Sequence, residues 1–234
     1  MVRTRKKRRK IDSVDYRLKV VFCLPGRVFT NNFLKSWTQL NNWCLNSNIL
    51  PIISNQYDSV VYYVRNKCLG GVATRGLNQK PFNGEVDYDY LMWIDSDMVF
   101  EPKDFIHLLN MQVDIASGLY KTADNIHYAT VKDWDMDYYR ENGSFKFLTK
   151  ESIKDLSEPF KVDYTGFGWI LFKKGVFESL EYPWFRPEWE DFGNGVREFT
   201  SEDVGFCKNI REKGYNIHIN PKVIVGHEKS RILR

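Results

Sequence analysis

An α/β domain with a mostly parallel central sheet flanked by helices is what this sequence predicts, and three observations predict it. The run Tyr90-Leu91-Met92-Trp93-Ile94 has no polar alternation, so it reads as a strand covered on both faces, the habit of parallel sheets. Short apolar strands alternate with stretches of helical period through the first half of the chain, the pattern of βα units. Finally, 234 residues, 43% hydrophobic and 15% aromatic, can fill one large core and exclude a disordered chain.

The elements follow in order. Leu18 to Leu24 is a strand stopped by Pro25-Gly26, and Thr30 caps a helix whose Phe33, Leu34, Trp37, Leu40 and Cys44 recur at helical spacing. Ile49 to Ser54 is a second strand, and Ser59 caps a helix running through Leu69 and closed by Gly70-Gly71. Residues 72–86 read as loop. After the strand at Tyr90, Pro102 opens a helix carrying Phe105, Leu108 and Leu109 on one side, and Val113 to Leu119 is another strand. From Tyr120 to about Lys161 the pattern breaks into polar, aromatic-flecked pieces, expected as short antiparallel strands and loops in a small mixed subdomain. Val162 to Phe172 is strand-like with two glycines and leads to a short helix ending at Leu180. Ser201 caps a helix closed by Gly214, and Asn216 to Asn220 and Val223 to Val225 are two last strands.

The net charge of +4 belongs to one end of the chain. Met1 to Lys10 holds seven Lys or Arg and no acid, leaving 27 basic residues against 30 acidic ones. Residues 1–16 therefore read as a basic, disordered tail, and nucleic acid is not an expected partner of the mildly acidic remainder. No stretch approaches the ~20 apolar residues of a membrane span, and the N-terminus has no signal-peptide apolar segment. A cytoplasmic protein is expected. Cys23, Cys44, Cys68 and Cys207 lie far apart with no C-x-x-C pair, a spacing that suggests neither a zinc site nor a disulfide framework.

Chemistry is foreshadowed where the buried strand ends in Asp95-Ser96-Asp97. Ligands bind at the C-terminal edge of such sheets, and two carboxylates around a tight turn suit magnesium or manganese. Asp in a turn also has a plain structural use, since its side chain bonds local backbone. Ser201-Glu202-Asp203 reads equally as an N-cap with acids favoured by the helix dipole, and His227 as a surface histidine after a strand.

Taken in order, these pieces resemble the GT-A fold glycosyltransferases. A βα start, a buried strand ending in D-x-D, a glycine-bearing strand, an S-E-D opening a helix and a strand ending in Gly226-His227 carry the resemblance over Leu18 to Lys229. It is nearest to the compact nucleotide-sugar-dependent enzymes of bacteria and of large viruses or phages, which would work in the host cytoplasm. The resemblance implies a single domain over residues 17–234, with a nucleotide-binding half (17–119) and an acceptor and catalytic half (120–234). It implies Mn2+ or Mg2+ held by Asp95, Asp97 and His227, with Asp95 also serving the ribose and Ser96 lying between the two acids. Leu24, Pro25 and Arg27 would border the nucleobase and Arg65 the nucleotide, though Arg65 reads equally as a solvated helix residue. Lys229 would meet a phosphate, Gly166 and Gly168 would let backbone approach the sugar, and Trp169 would line the pocket wall. Asp203 would be the general base of an inverting transfer, with Glu202 orienting the acceptor or backbone. Trp189, together with Pro183-Trp184-Phe185, would offer an acceptor platform, two or three of these aromatics being core on the plain reading.

The activity so implied is transfer of a hexose or deoxyhexose from a nucleoside-diphosphate sugar, UDP-sugar first, to a glycan or other hydroxyl acceptor. A sugar-1-phosphate nucleotidyltransferase is the alternative enzyme, but it would want a glycine-rich loop and a lysine after the first strand, which Leu24 to Phe29 does not supply. A nucleic-acid-binding protein acting through the tail would leave the ordered acids unexplained.

Overall fold

The computed structural model describes residues 16–229, so the basic segment Met1 to Lys10 lies outside the described residues. Leu18–Pro25 (β1) leads to Asn31–Asn46 (α1), Ile49–Gln56 (β2) and Val61–Cys68 (α2). Two 3-10 turns precede Tyr90–Ile94 (β3), Met98–Val99 (β4), Pro102–Leu109 (α3) and Ile115–Leu119 (β5). His127–Val131 (β6), Met136–Asn142 (α4), Phe147–Thr149 (β7), Lys150–Ile153 (α5), Phe160–Val162 (β8), Tyr164–Thr165 (β9) and Trp169–Lys173 (β10) follow. The described chain finishes with Trp189–Gly193 (β11), Val196–Phe199 (β12), Glu202–Glu212 (α6), Ile217–Ile224 (β13) and Gly226–His227 (β14).

Seven strands form the main sheet in the order β2-β1-β3-β10-β5-β13-β8. Strand β1 runs parallel to β2 and β3, and β13 parallel to β5, while β10 is antiparallel to both β3 and β5. Five of the seven strands therefore point one way, with β10 and β8 reversed. The sheet is mixed and mostly parallel, as expected.

Strand periodicity divides the core. Val20, Phe22, Met92, Ile94 and Leu171 face α1 and α3, burying Phe33, Leu40, Phe105 and Leu108 against them. Val21, Cys23, Leu91, Trp93, Ile170 and Phe172 face the other way, toward Val64 of α2 and Phe206 and Ile210 of α6. This double cover is why β3 reads as unbroken apolar sequence. The four cysteine thiols are buried and free.

Local chemistry explains most of the helix ends. Thr30 Oγ1 accepts the Phe33 N–H at 3.1 Å, as its N-cap position requires. Pro102 takes the first position of α3, where its missing N–H costs nothing. Several expectations are corrected. Leu34 is 60% exposed, and Ser36 is buried in its place because its hydroxyl accepts the Phe100 N–H at 3.0 Å. Helix α2 begins at Val61 with Val60, not Ser59, as its N-cap, and the Val60 N–H goes to Asp58 Oδ1 at 3.2 Å. The stretch Val162 to Phe172 is not one strand: it turns at Gly166-Phe167-Gly168 and only Trp169–Lys173 enters the main sheet. The two last strands are one, β13, with its pairing to β5 interrupted between Ile219 and Ile224.

Candidate active site

The turn after β3 sits where the sheet brings both halves of the chain together. Asp95 donates its backbone N–H to the Gly168 carbonyl at 3.1 Å, and its carboxylate meets Arg65 of α2, with Nη1 to Oδ1 at 3.2 Å. The same guanidinium gives its Nε–H to Glu202 Oε1 of α6 at 3.0 Å. Arg65 is 4% exposed and lies over the rings of Trp93 and Phe167, at 5.5 and 5.3 Å from their centroids. It is therefore not a solvated helix residue. Its Nη1 is near Asp95 but off the line of a hydrogen bond, which leaves this buried donor without a well-aligned partner. Glu202 is also buried, and burial, reinforced by the neighbouring Asp203 charge, raises its carboxyl against the opposing pull of Arg65.

Asp97 is met from the other end of the chain. Strand β14 pairs with β4, setting His227 opposite Met98 and Gly226 opposite Val99, and Glu228 N–H closes the ladder on the Asp97 carbonyl at 2.8 Å. That two-residue ladder carries His227 Nε2 to 3.2 Å and Lys229 Nζ to 2.7 Å from the same oxygen, Asp97 Oδ2. Burial alone would raise Asp97, but His227 and Lys229 outweigh it and hold the carboxyl at about 2. Burial likewise works against a charged His227, yet the Asp97 carboxylate prevails and raises it.

The histidine is oriented for more than an ion pair. Its Nδ1 lies 2.7 Å from the Lys121 carbonyl, which can only accept, so Nδ1 carries the proton. Nε2 then faces a carboxylate oxygen, and either a second proton or a cation must lie between them. Adjacent donors on an octahedral cation with bonds of about 2.1 Å lie about 3.0 Å apart, close to the 3.2 Å between Nε2 and Oδ2. Asp97 and His227 thus fit a small divalent ion. Asp95 does not join them here: it is turned to Arg65, and no group of three His, Cys, Asp or Glu side chains disposed to hold a metal occurs among the described residues.

A cleft of about 300 Å³ opens beside the two acids, bordered by Pro25, Gly26, Tyr57, Asp58, Arg65 and Ser96. Gly26 is required there, because a Cβ would lie 2.9 Å from Ser96 Cβ and its φ is +144°. Arg27 is exposed, with its guanidinium 5.7 Å over the Tyr57 ring, whereas Leu24 is buried in the core below. Tyr57 and Asp58 had no signal in the sequence, being ordinary residues of a loop.

The glycines answer to a neighbour. A Cβ on Gly166 would come within 2.1 Å of the Tyr120 hydroxyl, and one on Gly168 within 2.8 Å of Tyr120 Cζ. Tyr120 accepts the Gly168 N–H at 3.1 Å and sets its ring edge to face on His227, 5.3 Å away. Their smallness thus makes room for the tyrosine that braces the histidine. Trp169 is fully buried against Phe100 and lines no pocket wall, which corrects that expectation: strand alternation turns it into the core. Trp184 and Phe185 are core as well, so of the aromatic platform only Trp189 reaches solvent.

Asp203 stands in the first turn of α6. Tyr164 donates its hydroxyl to Oδ2 at 3.0 Å, and Oδ1 accepts the Val204 N–H at 2.9 Å and the Ser201 hydroxyl. The capping serine thus serves the acid instead of the helix backbone. A carboxylate offers about four lone-pair sites, so one site on Oδ2 is left for a further donor.

No family model matches the chain, and no curated protein sequence matches it. Among solved structures it is similar to A197 from STIV, at 16% identity and a TM-score of 0.50 over 93% of this chain and 97% of that one. It is also similar to a mutant Drosophila β1,4-galactosyltransferase 7 in complex with manganese, UDP-Gal and xylobiose, at 13% identity and a TM-score of 0.48, covering 92% and 72% of the two chains. A third likeness, at 12% identity and a TM-score of 0.47, is to GalNAc-T7 with UDP, GalNAc and Mn2+, over 90% of this chain and 44% of that one. At such identities what is shared is the fold. Among the described residues no helix is long and apolar enough to cross a membrane.

Proposed function

We propose that the protein is a metal-dependent glycosyltransferase of GT-A type, moving a hexose or deoxyhexose from a nucleoside-diphosphate sugar, UDP-sugar first, to an acceptor hydroxyl with inversion. In this reading residues 17–119 hold the nucleotide and residues 120–234 the acceptor within one domain. The observation that carries it is the meeting of Asp97, His227 and Lys229 at one carboxylate oxygen beside a cleft at the C-terminal edge of the sheet. That edge is where open α/β sheets bind ligands.

Asp97 and His227 would hold a Mn2+ or Mg2+ ion, whose chemistry when bound is to offset the charge growing on the departing diphosphate. Lys229, now on Asp97, supplies a cation that a phosphate oxygen can take instead. Arg65 keeps Asp95 and Glu202 at a fixed spacing, so the edge of the donor cleft and the start of α6 move as one body. Asp203, three of its sites already bonded, has one left on Oδ2 to accept the proton of an attacking hydroxyl. Tyr164 and Ser201 fix its direction.

The test is a panel of sugar nucleotides, with release of nucleoside diphosphate measured in manganese, in magnesium and in chelator. Slow hydrolysis of one donor that stops in chelator and returns with the ion is expected. No turnover of any donor, or full turnover in chelator, would overturn the reading.

A further inference from the structure

The hairpin β11–β12 stands directly before α6 and has two unlike faces. On the inner face Glu190 Oε2 meets Lys208 Nζ at 2.6 Å, and the buried Phe192 ring stacks on Tyr139 with centroids 3.7 Å apart. Those contacts anchor the ribbon from below. Trp189 is the cross-strand partner of Phe199 and Asp191 that of Arg197, so these four share the outer face. The two rings stack at 3.8 Å and 28°, yet they are 63% and 53% exposed. Beside them Arg197 Nη2 closes on Asp191 Oδ2 at 2.8 Å, also in the open. Large rings kept in water forgo the free energy of burial, and the anchored ribbon cannot turn them inward.

The face is also held at a set distance from Asp203. Asp203 lies four positions after Phe199, at most about 14 Å of chain. The base of the hairpin is locked to the helix: the Glu188 N–H bonds Thr200 Oγ1 at 3.1 Å, and Gly205 passes so close to the Arg186 carbonyl that a Cβ would lie 2.7 Å from its oxygen. A pyranose ring has an apolar C–H face that stacks on an aromatic ring and a rim of hydroxyls that bond ionised side chains. This outer face offers both.

We propose that the outer face of β11–β12 is an acceptor subsite and that the acceptor is a saccharide of at least two rings. The terminal ring offers its hydroxyl to Asp203, and a ring further along lies on Trp189 and Phe199 with its hydroxyls toward Asp191 and Arg197. The register of the saccharide rests on Asp203 being the base, as proposed above; the binding face rests on its own geometry.

The experiment follows the Trp189 indole N–H by NMR in the full chain labelled with 15N at tryptophan, the signal being assigned from Trp189→Tyr. Cello-, xylo-, malto- and manno-oligosaccharides of one to four rings are the probes. One series should move the signal once two rings are present and not with the single sugar, and Phe199→Ala should weaken that binding about tenfold. In transfer assays the KM advantage of a three-ring over a one-ring acceptor should collapse in Trp189→Ala and partly return in Trp189→Tyr. No movement with any series, or equal binding in Phe199→Ala, would overturn the subsite. So would a Trp189 signal that moves with protein concentration alone, since a second copy would then cover the face. If the unaltered protein turns over no sugar nucleotide, the glycosyltransferase reading fails separately, and the titration alone judges the face.

Discussion

Asp97 is where the charges of the site are concentrated, and its own carboxyl and the His227 ring set opposite pH limits. Its carboxyl lies near 2 in place of 3.8, so the stabilisation it gives is present above about pH 4 and lost as pH falls through about 2. His227 is raised above 6.5, so its contribution is complete below pH 6.5 and lost as pH rises through the folded value. In chelator, urea midpoints should therefore hold between about pH 4 and 6.5 and decline on both sides, with His227→Ala removing the alkaline decline; an unchanged alkaline limb would refute the pairing. A cation needs the bare imidazole nitrogen, so manganese affinity should rise with pH over the interval in which stability falls. Asp97→Ala should abolish manganese-supported nucleotide binding while the chain remains folded, because a half-exposed turn acid contributes little to the core; calorimetry reads both. Asp203→Asn keeps the size of the side chain but cannot take a proton. It should lower kcat by roughly two to four orders of magnitude with donor affinity nearly intact, and near-normal turnover would remove the base assignment.

At the scale of elements, the loop between β9 and β10 and the β4–β14 ladder are linked through Tyr120, which touches Gly166, Gly168 and His227. Gly166→Ala forces a methyl against the Tyr120 hydroxyl and should cost about 1–3 kcal/mol. Tyr120→Phe leaves the Gly168 N–H without its acceptor and should cost about as much. Together they should cost less than their sum, since removing the hydroxyl relieves the clash. Additive losses in thermal unfolding would mean that the two sites act independently and that the glycines are small for another reason.

Across the whole molecule, Arg65 and β10 tie the two halves together. Strand β10, from the second half, lies between β3 and β5 of the first, and Arg65 bridges Asp95 and Glu202 beneath the cleft. Neither half can keep its sheet without the other, so thermal unfolding should be a single transition, and two resolved transitions would argue for separate domains. Arg65→Met leaves the buried Glu202 carboxylate unpaired and facing the partly exposed Asp95. The expected loss is about 3–5 kcal/mol, a fall in Tm of about 6–20 °C for a chain of this size, and adding Glu202→Gln should restore part of it. A variant with unchanged Tm would show that Arg65 is not a clamp.

By itself the sequence determined the local elements and the position of the acids. Strands β1 and β3, the Thr30 cap, the proline start of α3 and the carboxylates beyond β3 were legible, because periodicity, capping and turn chemistry act over a few neighbouring residues. Only the tertiary structure decided what those residues face. Asp97 meets His227 through a ladder spanning more than a hundred residues, Arg65 is buried between two acids from different halves, and Trp169 goes into the core while Trp189 stays in water. Each of these depends on which strands become neighbours. Pairing between distant segments is set by packing of the whole sheet, and no short window of sequence records it.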